Sequence, residues 1–116
     1  MSVKHIASVP SEMVPKAIGV SKQVLISAEE GPHFAMRCFT IQPGGKMPLH
    51  TNTVEHEQYV LSGKAKVTLG EEHYEVEAGN VVFIPAGMPH AYTNIGEEPF
   101  RFLCSIPNLD DRTTYL

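Results

Sequence analysis

At 116 residues, 42% of them hydrophobic and 19% charged, the chain is long enough for one hydrophobic core and too short for two. Its net charge is −4 and its nine Lys and Arg are scattered, which excludes nucleic acid and anionic membrane surfaces as partners, because both need clustered basic residues. No apolar run reaches the length of a signal peptide or a membrane span. The expectation is therefore a cytoplasmic protein whose two cysteines, Cys38 and Cys104, are reduced thiols.

In chain order, residues 1–23 read as an N-terminal arm, with a helical turn expected at Ser11–Val14 between Pro10 and Pro15. Strand signals begin at Val24-Leu25-Ile26 and continue at Phe34–Ile41, which Pro43-Gly44-Gly45 is expected to close. A strand over His56–Ser62 turns at Gly63. In Lys64–Leu69 polar and apolar residues alternate, placing Ala65, Val67 and Leu69 on one face. Gly70-Glu71-Glu72 turns into a strand from His73 to Val76, and Gly79-Asn80 turns again. Val81–Ile84 is apolar at every position, as a strand buried on both faces would be. Pro85-Ala86-Gly87 breaks it, and strands at His90–Asn94 and Phe100–Ile106 complete the set before a tail at 108–116. Many short strands separated by Gly and Pro turns define an all-β sandwich or barrel at 24–107.

Two segments carry a more specific pattern. Gly79, five residues, Pro85-Ala86-Gly87, two residues, His90, three residues and Asn94 match every fixed position of the second cupin motif. The first cupin motif aligns with Gly44, five residues, His50-Thr51-Asn52, then His56 and, after six residues, Gly63. Asn52 stands where a second His is usual, and His56 where a Glu is usual. Glu55-His56-Glu57 resembles a subgroup of small manganese-containing cupins, and the resemblance covers roughly residues 24 to 107. It implies a single-domain double-stranded β-helix, that is, a jelly-roll barrel. It also implies one divalent transition metal at His50, His56 and His90, with Asn52 as a fourth ligand or a hydrogen-bonding neighbour. Manganese or iron comes first, then zinc, nickel or copper. A homodimer is expected by the same resemblance.

Local pattern agrees with that reading. His50 and Asn52 lie two apart and share a strand face, and His56 shares its face with Gln58 and Val60. Three imidazoles in a barrel mouth suit a transition metal. No carboxylate occupies a ligand slot, so the donor set is neutral and the ion would favour an anionic or enolate-like ligand. Met47, Gln58 and Tyr92 are expected in the pocket. By the resemblance, Phe102 and Cys104 line it too, and Arg37 enters the same wall to steer a carboxylate. Cys104 reads as a small buried hydrophobe without an activating His beside it. His5, His33 and His73 fit no motif and read as surface residues.

The expected function is a metal-dependent enzyme on a small oxygen-bearing, anionic or enolisable molecule, with dioxygenase-like chemistry first. The alternative is a non-catalytic metal-binding or ligand-binding module, such as a sensor.

Overall fold

Period-two alternation builds most of this molecule, and the computed structural model, which describes residues 1–116, contains ten strands and a single 3₁₀ turn, Ile6–Ser8. The strands are β1 (Ser11–Met13), β2 (Ile18–Ile26), β3 (Phe34–Asn52), β4 (His56–Ser62), β5 (Lys64–Leu69), β6 (Glu72–Glu77), β7 (Val81–Ile84), β8 (His90–Asn94), β9 (Phe100–Pro107) and β10 (Thr113–Tyr115). They form one curled antiparallel sheet in the order β6-β5-β8-β3-β9-β4-β7; β2 and β10 also pair with β3, and β1 pairs with β2. No helix is long and apolar enough to cross a membrane.

The sheet closes around one core. Phe39 and Tyr92 both stack on Phe102, with centroids 5.3 and 5.0 Å from it, and Phe100 packs beside them. Ala65 and Val67 point inward from β5, as alternation predicts. Asn94 ties down the neighbouring turn: its amide donates to the carbonyls of Ile41 and Glu98, and its own carbonyl accepts from the Gly96 N–H.

Three local expectations are corrected. Ser11–Met13 is a strand and not a helical turn, because β2 satisfies its backbone at Ser21–Gln23, while a lone turn between two prolines has nothing to stabilise it. Pro43-Gly44-Gly45 bends β3 without ending it. The first half of β3 pairs with β9 and the second with β8 and β10, so one strand serves both halves of the barrel. A Cβ on Gly45 would stand 2.7 Å from the Ile18 carbonyl oxygen, so the bend needs glycine there. Finally, β7 is buried on one face only: Val82 and Ile84 point inward, while Val81 and Phe83 are exposed.

The arm and the tail join the same sheet. β2 runs through the boundary expected at 23/24, and β10 pairs with the end of β3, setting Thr113 opposite Asn52 and Tyr115 opposite His50.

Candidate functional site

The site follows from register. His50 at the end of β3 is the direct partner of His90 at the start of β8, and their ring centroids are 4.1 Å apart. Gly87 takes a positive φ and donates its N–H to the Asn52 carbonyl, which holds the turn that delivers His90. His56 opens β4, where alternation buries His56, Gln58 and Val60 and exposes Glu57 and Tyr59. Its ring lies 5.9 Å from that of His90. The three histidines of the motif slots therefore meet in the barrel interior, each almost wholly buried. They converge without forming a closed ligating group of three or more His, Cys, Asp or Glu side chains. The arrangement is a cradle of donors, not a finished coordination sphere.

Nδ1 of His50 lies 2.7 Å from the Pro48 carbonyl oxygen, and Nδ1 of His90 lies 2.9 Å from that of Met88. A ring that donates its Nδ1–H to a carbonyl presents Nε2 as a bare lone pair, the form in which imidazole binds metals. Burial pushes the His90 pKa down to about 4 and lowers that of His50, so both rings are neutral near pH 7. Burial alone would lower His56 as well, but the Asp111 carboxylate and the Cys104 thiol hold its pKa above the ordinary value.

A cavity of about 440 Å³ opens onto these rings. Arg37, Met47, Asn52, Gln58, Tyr92 and Phe102 line it. Gln58 and Tyr92 pair: the phenol donates to Gln58 Oε1 at 2.9 Å, and burial raises the Tyr92 pKa, so the phenol stays protonated. Cys104 lies behind the wall, fully buried. The expectation that no histidine stands beside it is corrected, because Gln58 and Cys104 are register partners and His56 is therefore a diagonal neighbour. His56 Nδ1 lies 3.5 Å from Cys104 Sγ, and Arg37 Nη2 donates to the same sulfur at 3.4 Å. Burial would raise the thiol pKa, but His56 and Arg37 bring it below its ordinary value.

The tail and the arm bring residues that sequence reading missed. Asp111 places Oδ2 3.7 Å from His56 Nε2, adding a carboxylate to a set that the motif slots left neutral. Thr113 accepts from Asn52 Nδ2 at 2.9 Å, which turns Asn52 Oδ1 away from that contact. Tyr115 packs near His50, and Glu12–Pro15 with Lys22 form the outer rim. The β-prone Thr113-Thr114-Tyr115 was the available signal for the last strand; nothing local distinguishes Asp111 from Asp110.

Fold and site together define a small jelly-roll barrel with a histidine-lined interior cavity. Residues 37–106 match the Cupin_2 family, described as a cupin domain, and the chain belongs to that family. Over its whole length it superposes on the polyketide cyclase RemF from Streptomyces resistomycificus with a TM-score of 0.89 and 32% identity, covering 87% of that chain. It is 40% identical over 70 residues to oxalate decarboxylase OxdC of Bacillus subtilis, covering 55% of this chain and 18% of that protein. It is also 38% identical over 77 residues to mannose-1-phosphate guanylyltransferase RfbM of Salmonella typhimurium, covering 65% of this chain and 16% of that protein. The chain thus spans less than a fifth of the length of these two curated relatives.

Proposed function

We propose that this cupin holds one divalent transition metal ion at His50, His56 and His90, with Asn52 beside it, and that it acts on a small enolisable oxygen compound in the adjoining cavity. One observation carries the reading. The buried side-chain nitrogen and oxygen atoms without a hydrogen-bond partner are Arg37 Nε, Asn52 Oδ1, His56 Nε2 and Asp111 Oδ1, and all four belong to this one site. Unsatisfied buried polar atoms are rare and costly, so four in one place call for an occupant. Two of them, Asn52 Oδ1 and Asp111 Oδ1, are acceptors suited to a cation. His56 Nε2 joins them when the Nδ1–H of that ring faces Cys104. Arg37 Nε is a donor suited to an anion.

A bound divalent ion would polarise a carbonyl and ease loss of a proton from the adjacent carbon. Arg37 offers its free Nε–H to a carboxylate or enolate oxygen, and the protonated Tyr92–Gln58 pair presents a neutral polar wall. Phe39, Met47 and Phe102 supply apolar area for a body larger than a two-carbon acid. The whole-length similarity to a polyketide cyclase therefore favours redox-neutral enolisation and cyclisation of a poly-keto compound over the dioxygenase-like chemistry expected from sequence. Manganese or iron is the first expectation for the ion.

The test is deuterium exchange beside the carbonyls of a panel of 1,3-diketones and β-keto acids, using the purified, metal-loaded chain. Exchange that depends on His50 and His90 supports the enzyme. Tight binding without exchange or turnover points to the non-catalytic module.

A further inference from the structure

We infer that Asp111, from the C-terminal tail, is a carboxylate ligand of the same metal ion, restoring from the segment between β9 and β10 the acidic donor that the first motif replaces with His56. The inference rests on the metal reading above.

The tail around Asp111 is pinned. Thr53 Oγ1 donates to the Asp110 carbonyl at 2.7 Å and accepts from the Arg112 N–H at 2.8 Å, so Asp111 is clamped on both sides. The adjacent cation does not neutralise it: Arg112 Nε pairs with Asp110 Oδ2 at 2.9 Å, out in solvent. Asp111 instead turns inward. Its Oδ1 is buried without a partner, and its Oδ2 faces His56 Nε2 across 3.7 Å. That gap is too long for a hydrogen bond. It suits two donors sharing one ion, since ligand bonds of roughly 2.0–2.2 Å allow donor atoms up to about 4 Å apart.

His56 differs from the other two rings in a way that fits. Its Nδ1 faces the Cys104 sulfur, not a carbonyl, which aims Nε2 at Asp111. Between that nitrogen and the carboxylate oxygen there is room for one positive charge, a proton in the metal-free chain or the ion when one is bound. The carboxylate also changes the electrostatics. Three imidazoles leave an ion its full double charge, whereas one carboxylate halves it and shifts preference from dianionic toward monoanionic ligands.

The test uses the full chain stripped with chelator and titrated with Co²⁺, read both as affinity and as the visible ligand-field spectrum. Asp111→Asn is expected to weaken binding tenfold or more and to alter the spectrum, while Asp110→Asn stays within about twofold of the parent. His90→Ala is expected to lose binding by a larger factor still. Thermal melts of the metal-free variants confirm that each is folded. Parental affinity and spectrum in Asp111→Asn, with binding lost in His90→Ala, would overturn the inference and leave the histidine site standing. An equal loss in Asp110→Asn would also overturn it, reducing the effect to surface charge. Parental binding in His90→Ala would remove the underlying metal reading itself.

Discussion

His50 and His90 are direct cross-strand partners, and each engages the carbonyl of the residue two positions before it, Pro48 in one case and Met88 in the other. The two rings are therefore oriented by the same local device on two different strands. Both devices include a proline that removes a competing backbone donor, Pro48 itself and Pro89. The rings are set before any ion arrives, which is the preorganisation a ligand needs.

Loss of either ring should therefore cost more than loss of a supporting group. His50→Ala and His90→Ala are each expected to reduce metal affinity about a hundredfold, and His56→Ala by an order of magnitude or more. Elemental analysis of protein purified without an affinity tag or chelator measures this directly. Unchanged metal content in His56→Ala would remove it from the ligand set.

The histidines were legible because their spacing is local. Gly79 to Asn94 fits on one turn and the strands beside it, and each position has a physical job within that span. Asp111 was not legible, because its partner His56 lies on a strand 55 positions earlier in the chain and only long-range register brings them together. The bend at Gly44-Gly45 departs from its sequence expectation for a related reason. Locally the pair looks like a terminator, and only its pairing partners β2, β8 and β9 reveal that the strand continues. The all-β class itself was legible throughout, since alternation in β4 and β5 needs no partner to be seen.

Acid should destabilise the metal-free chain. Burial pushes His90 from its ordinary 6.5 down to about 4 and lowers His50 too, so the unfolded chain binds these protons more readily and stability falls as pH drops between those values. His90 alone accounts for about 3 kcal/mol over that range. His56 runs the other way: its pKa is raised, so its contribution is full at low pH and is lost as pH rises through the raised value. That loss falls above pH 6.5, so below it the two lowered rings decide, and urea midpoints of chelator-treated protein should rise from pH 4 to 6.5. His90→Asn should flatten that rise, and a profile that falls over this interval would contradict the burial argument.

Gly63 and Gly79 should differ sharply although both take positive φ, 82° and 93°. A Cβ at Gly63 would stand 2.6 Å from the Pro99 carbonyl oxygen and 2.8 Å from Phe100 Cα, both backbone atoms that cannot step aside. At Gly79 nothing lies within 4 Å. Gly79→Ala should cost about 1–2 kcal/mol, the penalty of the left-handed conformation alone. Gly63→Ala should cost roughly twice that or more, because it also displaces the start of β9. Paired denaturant melts give the comparison, and equal costs would mean that the turn relaxes freely.

β7 carries apolar residues at all four positions, yet Val81 is 75% exposed and Phe83 55% exposed, beside the half-exposed Tyr59 of β4. A strand at the end of the sheet order with an apolar outer face is an invitation to association. The homodimer expected from the cupin resemblance would cover it, giving β7 the two-sided burial that its composition suggests. Phe83→Glu should then yield a monomer in sedimentation, with the unfolding free energy of the isolated chain changed by no more than about 1 kcal/mol, since this side chain is more than half exposed and lies outside the core cluster. Val82→Glu is the contrast: it buries a charge in the core and should unfold the chain outright. A parent protein that sediments as a monomer at every concentration would leave this face without its partner and refute the assignment.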